Sequence, residues 1–335
     1  MNQGVKKFNS IDLMKFIMSF LVVAIHTNPL KMCNIPAVTV FYDCIVACAV
    51  PFFFLASGFL LAQKSTAENF PQIITKHLFK IVKLYLIWSA LYLPLAVIHF
   101  WFEGESFLRS VLLYFRGFFI VGENYNSWML WYLLSTIYAL IFILFLVKKK
   151  VRLTHILILG SILFAIGCVI PSFVAYTGSL PGVLSLFKKA LSVVVSGRIF
   201  KGFLYIPLGM VLAKKKPSVL WGILLALSGF VGNIFLDGIP EDFVVALCSA
   251  GVFILICHIN LKNSAVYSVL RSASTGIYFI HMYVWTVYYS IVYQEKTYGL
   301  DGFVVTCIVS LLFSLFYTWL QRKRKKQCSV PKQIA

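Results

Sequence analysis

Ten stretches of this sequence run for about twenty residues with almost no charge: about 11–28, 38–62, 80–100, 127–147, 154–174, 198–213, 218–236, 242–260, 273–293 and 302–321. A helix needs ~20 apolar residues to cross the hydrocarbon core of a bilayer. Inside that core there is no water to satisfy the backbone, so a spanning segment of this length must be helical. The runs therefore predict an all-α, polytopic integral membrane protein with about ten transmembrane helices. The sixth is short and interrupted by Gly202, Pro207 and Gly209. Two further stretches, 104–122 and 183–196, mix apolar residues with Arg109, Arg116, Lys188 and Lys189. They predict interfacial amphipathic helices, with a re-entrant segment as the alternative for the first. Composition agrees: 60% of residues are apolar and 12% charged, where soluble domains hold ~45–50% and ~25%. That excludes a soluble enzyme and a disordered chain alike. No internal repeat, linker or soluble module is visible, so 1–335 is expected to form one membrane domain ending in a basic tail at 322–335. No cleaved signal peptide is expected either, because Asp12 and Lys15 interrupt the first apolar run.

The net charge of +19 would suggest a nucleic-acid partner in a soluble protein. In a membrane protein it is first a topology signal, because Lys and Arg concentrate in cytoplasmic loops. With ten spans both termini lie on one side. Placing that side in the cytoplasm puts 21 basic residues inside and 8 outside. The inner set contains Lys6 and Lys7, Lys64, Lys76, the triplets at 148–150 and 214–216, Arg152, Lys262, Arg271 and the tail. The acids Glu103, Glu105, Glu123, Asp237, Glu241, Asp242, Glu295 and Asp301 fall outside. Both termini are thus expected to be cytoplasmic, with the bilayer as partner and no nucleic acid. The eight cysteines show no CxxC pairing and sit mostly in apolar runs, as buried thiols rather than a disulfide frame or a metal site.

Ionisable groups inside spans are costly and mark function by default. In the first run Lys15 and His26 are eleven residues apart. Eleven residues make about three helical turns, so both project from one face, ~16 Å apart along the axis. One stripe then carries a cation near the cytoplasmic end and an imidazole deep in the membrane. The alternatives are a snorkelling lysine and a capping histidine. In the second run Pro51 opens an aromatic stretch that closes on Ser57-Gly58, which predicts a bent helix with a close-packed spot. Asp43, nearer the outer end, is an acid expected to face His26 or a basic group. Lys80 and Lys83 share a helix face at the inner boundary. They are either part of the positive-inside cluster or a clamp for a polyanion such as a phosphorylated cofactor. His281 lies mid-run with Tyr278 one turn earlier. Trp128 and Trp131 suit an outer aromatic belt.

Taken in order, these residues resemble the acyltransferase family 3 of integral-membrane acyltransferases. The resemblance rests on a basic residue, ten residues, then His (Lys15, His26). It continues with Phe52-Phe-Phe-Leu-Ala-Ser57-Gly-Phe59, Lys80-x-x-Lys83 and Ile277-Tyr278-Phe-Ile-His281. Family members often carry Arg where this chain has Lys15, Lys80 and Lys83. The resemblance implies transfer of an acyl group, usually acetyl, from acyl-CoA to a glycan or similar acceptor at the outer side, with no tightly bound cofactor. Lys15, Lys80 and Lys83 would then bind the CoA phosphates. His26 would deprotonate the acceptor hydroxyl or carry the acyl group, and His281 with Tyr278 would orient His26 or stabilise the oxyanion. The runs 22–30 and 50–54 also look like the membrane domain of the vancomycin-resistance serine racemases, a branch of the family. That branch is thought to move serine across the membrane and carries a racemase domain not expected here. It makes a serine-permease-like transporter the second functional reading.

Overall fold

A computed structural model describes residues 8–66, 68–178, 181–194, 196–236, 240–292 and 299–328. Lys6, Lys7, Asp237, Glu295, Lys296 and Lys332 of the charge count, and Tyr293 at the end of the ninth apolar run, lie outside the described residues. Among those described, no strand occurs. The helices are α1 (Asn9–Thr27), α2 (Pro36–Ala47), α3 (Ala49–Gln63), α4 (Phe70–Phe102), α5 (Phe107–Arg116), α6 (Trp131–Lys148), α7 (Leu153–Ala175), α8 (Gly182–Leu191), α9 (Lys201–Lys215), α10 (Val219–Phe235), α11 (Glu241–His258), α12 (Val266–Val292) and α13 (Leu300–Cys328). Seven stretches are long and apolar enough to cross a membrane: α1, Pro36–Gln63, α4, Trp128–Lys148, α7, α11 and Leu300–Lys323. The protein is therefore a polytopic, all-helical membrane protein. Of the other predicted spans, α10 is a 17-residue apolar helix and α9 has 15 residues with Pro207 inside. The 27-residue α12 carries Arg271, His281 and several hydroxyls, which lower its apolarity.

The second apolar run is broken at Cys48, between α2 and α3. Pro51 explains the position: it lacks the N–H that would bond the carbonyl of Ala47, four residues earlier, and its ring crowds that turn. The 104–122 stretch folds as α5 followed by a π-helical turn, Gly117–Val121, closed by Gly122 at φ +81°. The Phe118 carbonyl of that turn accepts from the Tyr85 hydroxyl of α4 at 2.6 Å. Tyr138 of α6 donates to the Phe119 carbonyl. These two hydroxyls satisfy carbonyls of the wider turn from outside. In the 183–196 stretch, α8 buries none of its side chains.

Two compact units emerge, residues 1–49 with 256–335, and residues 50–255. In the first, α12 packs between α1 and α13. Thr306, Ser310, Ser314 and Thr318 form a buried stripe along α13. Ser272 of α12 shares a 2.9 Å hydrogen bond with Thr318, and a Cβ on Gly276 would fall 2.5 Å from the Ser314 hydroxyl. Small residues thus let these helices approach closely, as membrane helices do.

In the second unit α3 is the central helix. It is apolar all round, the pattern of a helix surrounded by others. Phe52 and Phe54 are fully buried, and their rings meet Phe253, Tyr132 and Tyr205. Against α9 the approach is backbone to backbone. A Cβ on Gly58 would stand 2.0 Å from the Ile206 carbonyl oxygen, and one on Gly209 would stand 2.2 Å from that of Leu55. Neither oxygen can yield without moving a helix. Against α11, α10 buries Gly222, Gly229 and Gly232 and exposes Leu220, Leu224, Leu227 and Val231. That leucine-rich face is suited to lipid.

Gly58→Ala is expected to destabilise the protein by about 1–3 kcal/mol, the usual cost of overpacking. Gly182→Ala, which meets nothing within 4 Å, should be neutral. Thermal unfolding of the two variants in detergent, side by side, checks the pair.

Candidate functional site

The first unit brings two histidines together. α1 runs unbroken from Asn9 to Thr27, so Lys15 and His26 do share a face. His26 sits in the last turn, just before the chain turns off the helix at Asn28 with φ 43°. Two hydrogen bonds hold that turn. Thr27 donates its hydroxyl to the Val23 carbonyl at 2.9 Å, and the Tyr42 hydroxyl of α2 reaches the Ala24 carbonyl at 3.0 Å. His26 is half-buried. Its ring centroid lies 5.3 Å from that of His281 on α12, with the planes tilted by 33°.

His281 is fully buried, and its Nδ1 lies 3.1 Å from the Ile277 carbonyl. A carbonyl only accepts, so this hydrogen bond places the proton on Nδ1 and leaves Nε2 with a lone pair. That Nε2 has no hydrogen-bond partner among the described residues. A buried polar atom without a partner costs about 1–3 kcal/mol and calls for a reason, a catalytic role or a bound molecule among them. The Ile-Tyr-x-x-His sequence thus has a local logic: Ile277 sets the tautomer of the histidine four residues on. The Tyr278 ring stands 6.3 Å from that of His281.

At the other end of α1, the buried carboxylate of Asp12 meets the Arg271 Nε of α12 at 3.6 Å. Asn9 donates its amide to the carbonyls of Leu261 and Lys262 at 3.3 and 3.1 Å. Lys15, one turn after Asp12, is half-buried. Arg271 is a residue that sequence reasoning counted only as an inner charge. The signal for it was Asp12, an acid inside an apolar helix that requires a cation, but periodicity does not say which one. Asp43 lies exposed on α2, with no hydrogen bond or ion pair among the described residues. Its neighbour Tyr42 makes the contact to α1.

The second unit holds the remaining predicted residues. Lys80 and Lys83 are exposed on α4 together with Lys76, and no carboxylate pairs with them among the described residues. That is the condition in which a polyanion can be bound without displacing a protein partner. Ser57 of α3 points at α4, with its Oγ 3.3 Å from His77 Nε2. His77 also escaped notice in the sequence, because one imidazole in a lysine-rich segment looks like any other inner-side residue. Elsewhere in this unit Lys201 and Asp242 pair at 2.5 Å, and Arg198 and Glu123 at 3.1 Å. Burial pushes the Glu123 carboxyl above its ordinary value, and the Arg198 guanidinium pulls it back. No disulfide forms among the described cysteines, and no three His, Cys, Asp or Glu side chains gather there as metal ligands.

A family model described as an acyltransferase domain matches residues 8–319. The chain belongs to this acyltransferase family. Two curated proteins named amino-acid racemases, both from Enterococcus faecalis, are similar to parts of it. One is 32% identical over 164 residues, covering 48% of this chain and 22% of the relative. The other is 30% identical over 149 residues, covering 42% and 20%. The chain thus aligns with about a fifth of each relative's length. No solved structure matches.

Arg271→Ala removes the cation that Asp12 faces and should cost about 1 kcal/mol, the upper range for a pair whose arginine is more than half exposed. The Asp12→Asn/Arg271→Ala double variant should recover most of that loss, since no buried charge is left uncompensated. Melting temperatures of the three variants against the parent measure both effects.

Proposed function

We propose that the protein is an acyltransferase of the bacterial plasma membrane that moves an acyl group, acetyl in the first instance, from cytoplasmic acyl-CoA to a hydroxyl of a glycan or similar envelope acceptor on the outer side. Membership of the acyltransferase family over residues 8–319 carries this reading. In this reading the chain crosses the bilayer ten times with both termini in the cytoplasm, which the 21-to-8 split of basic residues supports. The glycan acceptor and the acyl-CoA donor are its partners, and no cofactor stays bound between turnovers.

The chemistry assigned to each residue follows from its surroundings. Lys80 and Lys83 hold phosphate groups of CoA by charge-assisted hydrogen bonds, and Lys15 serves the same polyanion from its own helix. His26 takes the proton from the acceptor hydroxyl as that oxygen attacks the thioester carbon, or carries the acyl group briefly. His281, with Nδ1–H committed to Ile277 and its ring beside that of His26, orients His26 or supports the oxyanion. Tyr278 supports His281 or donates to the oxyanion.

A second reading comes from the resemblance of 22–30 and 50–54 to the membrane domain of serine racemases, and the curated relatives are named amino-acid racemases. As a serine-permease-like transporter, the chain would carry a small amino acid along the polar face of α1, and His26 and Lys15 would line its path.

His26→Ala should lower transfer from radiolabelled acetyl-CoA to an envelope glycan fraction by ~10²–10⁴-fold, the span of general acid–base catalysis. Lys80→Ala and Lys83→Ala should each raise KM for acyl-CoA several-fold, with an effect that shrinks at high salt. If the purified protein neither binds CoA nor transfers acyl groups, while L-serine uptake into cells depends on it, the transport reading replaces this one.

A further inference from the structure

Ser57 is one of the helical hydroxyls that do not bond back to their own helix, and it meets an imidazole. A serine or threonine inside a helix commonly donates back to a carbonyl three or four residues earlier. Thr27, Thr136, Ser161, Thr286, Ser314 and Thr318 all do so here, at 2.6 to 2.9 Å. The Ser57 hydroxyl makes no such bond among the described residues. It turns away from its own helix to the imidazole of His77, Oγ to Nε2 3.3 Å, and Tyr132 of α6 stands beside it on a third helix.

The setting is rigid without being sealed. Gly58, the next residue, presses on the Ile206 backbone, so α3 cannot roll to carry Ser57 elsewhere. Tyr132 is held by the Phe54 ring at a centroid distance of 4.5 Å. Ser57 and His77 are each half-buried, and so within reach of a ligand. One turn beyond His77 on α4, Lys80 begins the exposed cationic stripe, with Lys76 before it and Lys83 after. A hydroxyl, a base within hydrogen-bond reach and a donor hydroxyl beside them form the arrangement of an activated nucleophile. The adjacent cations favour an anionic substrate.

We propose that Ser57 is a second acyl-accepting nucleophile, with His77 as its general base, and that it reacts with the thioester of an acyl-CoA. The proposal rests on the acyltransferase reading above. As Oγ attacks the thioester carbonyl carbon, its proton passes to His77 Nε2, and the Tyr132 hydroxyl donates to the carbonyl oxygen as that oxygen gains charge. Collapse of the tetrahedral adduct breaks the C–S bond. The leaving sulfur takes the proton from His77, giving free CoA thiol and an acyl ester on Ser57. Attack by an acceptor hydroxyl reverses the proton path: His77 takes the acceptor's proton and returns it to Oγ, and the acyl group leaves on the acceptor. Turnover is then of the ping-pong kind, with CoA released before the acceptor reacts.

The test uses the full chain in detergent with acetyl-CoA labelled in the acetyl group. Label should remain on the protein through denaturing gel electrophoresis, be removed by hydroxylamine, and map by peptide mass spectrometry to Ser57. It should accumulate when acceptor is left out and be discharged when the acceptor is added. Ser57→Ala should lose the label, and His77→Gln should form it at least 10²-fold more slowly, as expected for loss of a general base. Ser57→Cys, which keeps a nucleophile in the same volume, guards against a folding defect and should retain a thioester-bound label. An enzyme that turns over while Ser57 stays unlabelled, or with label on His26 alone, overturns the proposal and leaves the acyltransferase reading standing. A chain that releases no CoA and acylates nothing overturns both.

Discussion

A polar group between membrane helices has no water to fall back on, and every arrangement described above answers to that constraint. The backbone meets it by being helical. Most side-chain hydroxyls meet it locally, by bonding the preceding turn of their own helix, which costs nothing in fold design. What remains are groups that are not satisfied locally, among them the Asp12 carboxylate and the Ser57 hydroxyl turned off its helix. Each draws in a partner from another helix, and those cross-helix pairings fix which faces of the helices meet.

Close packing is the second half of the same constraint. Lipid tails are as apolar as the helices, so burial alone does not drive helices together, and contact has to come from shape. Gly58 against Ile206 and Gly209 against Leu55 bring two backbones together with no side chain between them. That contact immobilises α3 and gives Ser57 a fixed direction. In the other unit the hydroxyl stripe of α13 and Gly276 of α12 do the same for the helix that carries His281. Ser57 and His281 thus sit on closely packed helices, which hold their directions fixed.

Much of this was legible in the chain. The ten apolar runs each became a helix or helix pair, and Pro51 foretold a bend, although the outcome is a break at Cys48 rather than a continuous curve. Ser-Gly at 57–58 foretold close packing. Other features were hidden. Arg271 and His77 sat among inner-side charges and looked like topology residues, because the positive-inside bias fills those segments with cations whether or not they have a task. Asp43 drew attention as an acid in a span, yet it is the neighbouring Tyr42 that binds α1. A one-residue offset turns a helical side chain by 100°, and periodicity alone does not say which face meets the neighbour.

Sequence by itself determined the class of structure and the content of each helix. Hydrophobic length dictates spanning helices, and the 3.6-residue period places Lys15 and His26 on one stripe. Only the tertiary structure decided that His281 meets His26, that Arg271 answers Asp12, and that His77 answers Ser57. The reason is physical: period and composition act within a helix over a few residues. Which helices touch, and at what height, is settled by small-residue contacts and cross-helix hydrogen bonds between segments far apart in the chain.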